Sequence, residues 1–303
     1  MQFDLTILGS NGAIPAYDRH PSSQILNYNG NHFLIDCGEG TQFRMIKFGV
    51  KRGKLDNIFI SHLHGDHYFG LIGLLTSFNL NWREHPLHIY GPAGIEEVMN
   101  VHFKYSQTQL KFQIHYHHVV ADEPRVIYED HFLQVETIIL THRLPTTGFL
   151  FKEKKGLRKI LSEKIAQYNI PFAQIPDIKR GEDFTDAQGN KIPNAELTTE
   201  SPEPRSYAYC SDTVFTESFI EQIKGVGLLY HEATFVDEHT ARALETFHTT
   251  SRQAATIAKM AHAGKLVIGH FSARYESLEP LLTQSREVFP ETYLAHEGTV
   301  FQI

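Results

Sequence analysis

Cysteine is nearly absent: Cys37 and Cys210 are the only two in 303 residues, and they lie far apart in the chain. So few thiols exclude a disulfide-built scaffold and point to a reducing, cytoplasmic setting with both thiols free and, given their apolar flanks, buried. Long apolar runs are missing too. The most hydrophobic stretch, within Phe69 to Leu80, is too short and too interrupted to span a bilayer. The opening Met1-Gln2-Phe3-Asp4-Leu5 lacks the basic and apolar regions of a secretory signal, so no membrane association is expected. Nor is there an excess of positive charge: the formal net charge is −7. That argues against a broad nucleic-acid-binding surface, although a local basic patch or bound cations are compatible with it. No short-period repeat is present.

What the chain does contain is 41% hydrophobic residues, enough for one large core or two small ones, and 19 histidines. Four ligand-type side chains crowd into Ser61-His62-Leu63-His64-Gly65-Asp66-His67. Asn57-Ile58-Phe59-Ile60 before them has the β-branched and aromatic character of a buried strand, and Tyr68 to Phe78 after them is apolar at helical spacing. In extended backbone His62 and His64 point the same way and can share one ion. Gly65 then lets the chain turn, carrying Asp66 and His67 to a neighbouring point. Neutral imidazoles with carboxylates suit zinc and similar divalent ions, so this turn is a metal site.

In chain order, strands are expected over Phe3–Leu8, Ser23–Tyr28, His32–Asp36, Leu87–Pro92, Gln113–Val119, Arg125–Tyr128 and Phe132–Leu140. Further strands are expected at Tyr207–Cys210, Gly227–His231, Leu266–Gly269, Thr292–Leu294 and Val300–Ile303, with helices over Gly94–Tyr105, Thr250–His262 and Leu278–Val288. Strands outnumber helices without strict alternation, which implies two mixed sheets packed face to face with helices outside, a layered α+β arrangement. Between them Lys152 to Arg205 is polar and proline-rich, with one expected helix at Leu157–Gln167. It is either a functional arm or a tolerated surface insertion. His142, Asp212 and His270 each follow an expected strand, the same kind of position as the heptapeptide, and complete a candidate ligand set. His115, His117 and His118 fall mid-strand, as on a solvated sheet face, and His296-Glu297 is taken as structural.

Several longer motifs accompany these ligands: Phe33 to Gln42, Phe59-Ile60-Ser61 running into the heptapeptide, Leu87 to Pro92, His231-Glu232-Ala233-Thr234-Phe235 and His270-Phe271-Ser272-Ala273-Arg274-Tyr275. Together they resemble the metallo-β-lactamase fold and, within it, the ribonuclease Z family of tRNA 3′-processing zinc phosphodiesterases. The likeness covers almost the whole chain. It implies one αββα sandwich domain over 1–303, with 152–205 as a flexible inserted arm that docks tRNA. It also implies two Zn2+ per subunit, one held by His62, His64 and His142, the other by Asp66, His67 and His270, with Asp212 bridging. Two ions about 3.5–4 Å apart can clamp the attacking and leaving oxygens of a phosphodiester and acidify a water.

The resemblance further makes Asp66 a proton acceptor as well as a ligand. His248 would stabilise or protonate the leaving oxygen, with Glu232 holding it in place; the alternative for His248 is a helix cap. Arg274 either binds a phosphate through its forked guanidinium or pairs with a carboxylate. Arg19, Lys154, Lys155 and Arg158 are further candidates for substrate contact. The basic stripe at the arm's start, which also includes Lys152, Lys159 and Lys164, would make binding salt-dependent, unless it is a solvated helix face with pairs such as Lys159 and Glu163.

Two stretches depart from the family pattern. Pro15-Ala16-Tyr17-Asp18-Arg19-His20 stands where relatives have Pro-x-Lys-x-Arg-Asn, and the arm lacks the family's Gly-Pro pair, with Ile170 to Gly181 in its place. The expected activity is hydrolytic removal of the 3′ trailer from precursor tRNA, in a homodimer whose arms serve opposite active sites. The rival readings are a dinuclear phosphodiesterase for small esters or other nucleic acids, and a non-catalytic RNA-binding metalloprotein.

Overall fold

Alternating and β-branched runs become strands of two seven-stranded sheets in the computed structural model, which describes residues 2–303. The first sheet runs, edge to edge, Val300–Gln302, Phe3–Gly9, Ser23–Tyr28, Asn31–Cys37, Leu55–Phe59, Leu87–Gly91 and Ile114–His118. Its first four strands pair antiparallel; from Asn31–Cys37 onward the pairing is parallel. The second sheet runs Thr292–Leu294, Lys265–Gly269, Leu228–Glu232, Ser206–Cys210, Thr146–Glu153, Leu133–Leu140 and Val126–Glu129. The strands from Thr292–Leu294 to Ser206–Cys210 are parallel. Parallel strands end at one edge, and there their carboxyl-terminal turns can meet.

Alternation within strands assigns the faces. Leu34, Ile58 and Ile89 pack under Met45, Leu71, Leu74, Leu75, Phe78, Ile95 and Met99 of the helices Thr41–Lys47, Leu71–Leu80 and Gly94–Tyr105. The opposite face carries Phe33 and Phe59. Phe59 meets Phe149 and Phe151 of the second sheet at 5.4 Å between ring centroids in each case, and stacks on Tyr90 at 4.6 Å. Helix Ser251–Met260 lies on strands Leu228–Glu232 and Lys265–Gly269 and packs against Glu279–Arg286. The layers are therefore helix, sheet, sheet, helix, the metallo-β-lactamase arrangement.

The chain divides into two compact units: one comprises the chain through Tyr128 with Val135–Phe151 and Ser206–Ile303, the other Glu129–Gln134 with Lys152–Arg205. The second unit has its own small core of Ile170, Ile178, Phe184, Ile192 and Leu197. Asn194 ties it together, its buried amide donating to the carbonyls of Ile178 and Glu182 at 2.6 and 2.7 Å. No helix among the described residues is long and apolar enough to cross a membrane.

Several local expectations are corrected. Strand Thr146–Glu153 has no alternation to detect because its first six residues are all buried, both faces being covered. The expected helix Leu157–Gln167 begins only at Ser162; Lys159–Ile160 instead pairs with Thr198–Thr199, so Lys159 and Glu163 are not neighbours on a helix. Helices Ile175–Arg180 and Thr240–Thr246 are too short to show a period. His115 and His117 are partly buried rather than solvated, stacked in one ladder with His88 and Tyr90, and only His118 is exposed, beside Glu96. Cys37 and Cys210 are buried free thiols, and burial pushes the Cys37 thiol up to about 12.

Phe59 is the ring on which the two sheets interlock. Phe59→Ala should cost about 3–5 kcal/mol, as for other buried aromatic truncations, read as a lower urea midpoint with an unchanged m-value. A loss under about 1 kcal/mol would show that the sheets are held elsewhere.

Candidate metal centre

Strand Leu55–Phe59 delivers the heptapeptide to the sheet edge, and Ile60, Ser61 and His62 continue as buried backbone. His64 is still extended, with φ −74° and ψ 143°, so it lies on the side of His62, and the two imidazoles approach to 3.0 Å, His62 Nε2 to His64 Nδ1. The chain then turns into the short helix Gly65–Tyr68, which presents Asp66 and His67 one step away. This turn passes close to Gly38, where a Cβ would fall 2.4 Å from the Asp66 carbonyl oxygen. His142 follows Leu133–Leu140, Asp212 follows Ser206–Cys210 and His270 follows Lys265–Gly269. His270 has a left-handed φ of 58°, and Gly12 leaves the space its ring fills, since a Cβ there would lie 2.7 Å from Cε1.

All seven predicted ligands converge. His62, His64, His142 and Asp212 form one cluster, Asp66, His67 and His270 another, and within each the ligand atoms lie within 4.8 Å of one another. Asp212 faces both: its Oδ2 is 3.6 Å from His62 and 3.7 Å from His142, and its Oδ1 is 3.4 Å from His67 and 3.2 Å from His270. Asp66 Oδ2 is 3.5 Å from His67 Nε2 and 3.3 Å from His270 Nε2.

The fit to cations rests on atoms left unpaired. Among the described residues, His67 Nε2 and Asp212 Oδ1 are buried polar atoms with no hydrogen-bond partner, and both point into the clusters. Leaving such groups bare is costly, so their position argues for a ligand. Three of the nitrogens facing away are engaged in the manner usual for metal-binding imidazoles. His142 Nδ1 donates to the Phe247 carbonyl at 2.8 Å, His67 Nδ1 lies 2.7 Å from Asp36 Oδ2, and His270 Nδ1 lies 3.0 Å from Thr234 Oγ1. Burial pulls His62 and His142 below the usual imidazole range, keeping their lone pairs free. Asp212 stays ionised because His270 and His67 outweigh its burial. His67 is held protonated, against its burial, by Asp212, Asp66 and Asp36; a cation at the same point would supply that charge instead.

Beside this centre Glu232 ends its strand fully buried and fully bonded. Its Oε1 accepts from Thr249 N–H at 2.9 Å and from His248 Nδ1 at 3.0 Å, and its Oε2 accepts from Thr234 N–H and Oγ1 at 3.0 and 2.7 Å. Burial depresses the His248 imidazole, yet the Glu232 charge outweighs it and pushes the group up to about 9. The cap of helix Ser251–Met260 is Thr250, in a capping box with Gln253. His248 is therefore not the cap; it lines the cavity with its ring 5.3 Å from that of His270.

The ligands floor a cavity of about 780 Å³ whose walls include Ile14, Pro15, Phe69, Phe235, Arg143, Arg242 and Arg274. Arg274 lies over the Phe235 ring at 5.2 Å and, among the described residues, forms no ion pair. Arg19 is engaged internally: Nε donates to Asn11 at 2.9 Å, and its two terminal nitrogens donate to the carbonyls of Glu276 and Tyr275. That arrangement pins the early loop to the segment Tyr275-Glu276. In the second unit Lys154 pairs with Glu129 at 2.7 Å, Lys155 with Glu200 at 3.8 Å, and Arg158 with Glu200 and Thr198.

Sequence reasoning did not single out Asp36, Ser61, Thr234 and Tyr209. Asp36 is fully buried with φ 53° and accepts from Ser61 N–H at 2.8 Å, Ser61 Oγ at 2.9 Å and Tyr209 OH at 2.6 Å, besides facing His67. The available signal was a carboxylate ending the apolar run Phe33-Leu34-Ile35.

Comparison with known proteins follows the same lines. A family profile described as "Anti-Pycsar protein Apyc1" matches residues 3–157, which takes in the heptapeptide and His142 but not Asp212, His248 or His270. Likeness to curated proteins extends further. The ribonuclease Z of Bacteroides thetaiotaomicron is 44% identical over 302 residues, 100% of this chain and 96% of that protein, and the ribonuclease Z of Porphyromonas gingivalis is 43% identical over 97% of each. Among solved structures, the short form of human tRNase Z superposes with a TM-score of 0.72 at 28% identity over 98% of both chains. The metallo-β-lactamase fold protein YhfI from Bacillus subtilis shares the fold, with a TM-score of 0.68 at 20% identity over the whole of both chains. With full-length identity of this order reaching through both halves of the ligand set, the chain belongs to the ribonuclease Z family.

Proposed function

We propose that this protein is a metal-dependent endoribonuclease that removes the 3′ trailer from precursor tRNA, working in the cytoplasm with two zinc ions per subunit. The observation that carries the reading is the complete ligand set, sharing Asp212, in a chain that matches ribonuclease Z over its full length. His62, His64, His142, Asp66, His67, His270 and Asp212 would hold two divalent ions, which when bound would acidify a water and compensate charge on the phosphate. In this reading Asp66 takes the proton from the attacking water. Its Oδ2 accepts from Ala13 N–H at 2.7 Å, and no described donor reaches its Oδ1. As the water oxygen bonds to phosphorus and the bond to the leaving oxygen breaks, His248 gives that oxygen its proton. Glu232 touches no reacting atom; it orients His248 and keeps it protonated, and so acts as a positioning residue.

Residues 152–205 serve as the tRNA-docking arm, with Lys154, Lys155 and Arg158 exchanging their carboxylate partners for phosphates. A homodimer would let each arm serve the other subunit. Arg274, unpaired in the cavity wall, is the cation for the phosphate next to the scissile one. The second reading, a phosphodiesterase for smaller esters, draws support from one observation: Arg19, Lys154 and Arg158 are already engaged within the protein.

Purified, metal-loaded protein should cut a 3′-extended precursor tRNA once, just after the discriminator base, with the cut abolished by chelator and weakened by added salt. Intact RNA beside rapid hydrolysis of a small chromogenic diester would favour the second reading, and removing 152–205 should abolish only the RNA cut. His248→Ala should lower kcat by about 10²–10⁴. Because His248 acts as the protonated form, the rate should fall as pH rises through its pKa. Glu232→Gln removes the charge that raises that pKa, so this limb of the pH–rate profile should move to lower pH. An unmoved limb would take the proton-donor role from His248. Asp36→Asn should weaken metal retention about 10- to 100-fold in a chelator competition, and unchanged retention would show that His67 is oriented without it.

A further inference from the structure

Phe69 has no part in the chemistry above, yet its placement is built. The ring stands 61% exposed on the cavity wall, directly after the helix that carries Asp66 and His67. It leans on the heptapeptide backbone where Gly65 has no side chain: a Cβ there would lie 2.2 Å from Phe69 Cε2. Tyr68 braces it edge-on at 5.1 Å between centroids. Ile14, 58% exposed, and Pro15 continue this apolar wall. Arg143, Arg242 and Arg274 line the same cavity, and Arg143 and Arg242 are joined through Glu245. Isolated exposed aromatic residues are ordinary. Here, however, a largely exposed ring lines the same cavity as the ligands His64, Asp66, His142, Asp212 and His270, whose chemistry needs only oxygen and charge. A polynucleotide brings both charge and flat bases to such a site, and aromatic rings bind single-stranded bases by stacking with little regard for sequence.

We infer that Phe69 is a stacking platform for a nucleobase flanking the scissile phosphate, so that the site reads its substrate as nucleic acid through a base as well as through charge. This deepens the endonuclease reading and rests on it, but its test does not need tRNA. In the assay the holoenzyme is given a small chromogenic diester, and a single-stranded RNA hexanucleotide is added as a competitor. A fully abasic counterpart of the same length carries the same phosphates without bases. Phe69→Ala should raise the inhibition constant of the hexanucleotide about 5- to 100-fold and leave that of the abasic strand within about twofold. Phe69→Trp should restore tight competition, and its fluorescence, above the background of Trp82, should be quenched by the hexanucleotide and not by the abasic strand. Equal weakening of both competitors, no weakening of either, or loss of diester hydrolysis and bound metal in Phe69→Ala would each overturn the inference. Whether wild-type protein cuts precursor tRNA is read separately, so failure of the tRNA assignment is distinguishable from failure of the stacking role.

Discussion

The molecule depends on one buried carboxylate. Asp212 is almost wholly removed from water, and its Oδ1 meets no hydrogen-bond donor, while imidazoles of both clusters face it from either side. A charge in that position is unfavourable unless something positive sits with it. The side chains of both clusters could hold divalent cations, which would compensate the carboxylate's charge. The fold can hold the arrangement because its ligands come from the ends of four strands in two sheets, and the sheets are locked by rings such as Phe59, Phe149 and Phe151. Metal binding at such a centre would be linked to folding.

Around that centre lies a shell that fixes direction rather than charge. Asp36 holds Ser61, His67 and Tyr209 with one carboxylate, so a strand of the first sheet, the metal turn and a strand of the second are tied at a single point. Glu232 does the same on the other side: it receives His248, Thr234 and Thr249, and Thr234 reaches on to His270. Rings braced on their outer nitrogens keep the inner ones aimed without further ordering when a ligand arrives. The unfavourable φ values of Asp36 and His270 are tolerated because these networks over-determine them.

How much of this was legible in the sequence follows from how local each feature is. The heptapeptide is contiguous, so extended spacing followed by a glycine turn predicts which side chains meet. His142, Asp212 and His270 are distant in sequence but carry a positional mark, the end of a strand. Asp36 and Thr234 also lie at or just after strand ends, but that mark does not tell them from structural residues: their importance lies in what other segments bring to them, and a carboxylate inside Phe33 to Cys37 has the same appearance whether it braces a histidine or faces solvent. Strand Thr146–Glu153 escaped for the opposite reason, since complete burial erases alternation. In the second unit, strands of two residues leave no period at all. The fate of Arg19 was equally hidden, because its three acceptors come from Asn11 and from carbonyls more than 250 positions away.

These differences in locality bear on where specificity resides. Solved structures at 20% identity or below share this fold over nearly the whole chain, so the scaffold alone does not select a substrate. The metal floor is equally permissive: it recognises an ester of phosphate and an attacking water, features common to many substrates. Selection therefore falls to what surrounds the floor. An apolar edge of Ile14, Pro15 and Phe69, the arginines of the same cavity, and the separate unit that includes Lys152–Arg205 supply none of the seven ligands. The early loop and the arm belong to those surroundings, while the ligands themselves sit at strand ends and in the turn that follows one. A change of substrate in this family would thus be written at the walls and the arm, with the chemistry left intact.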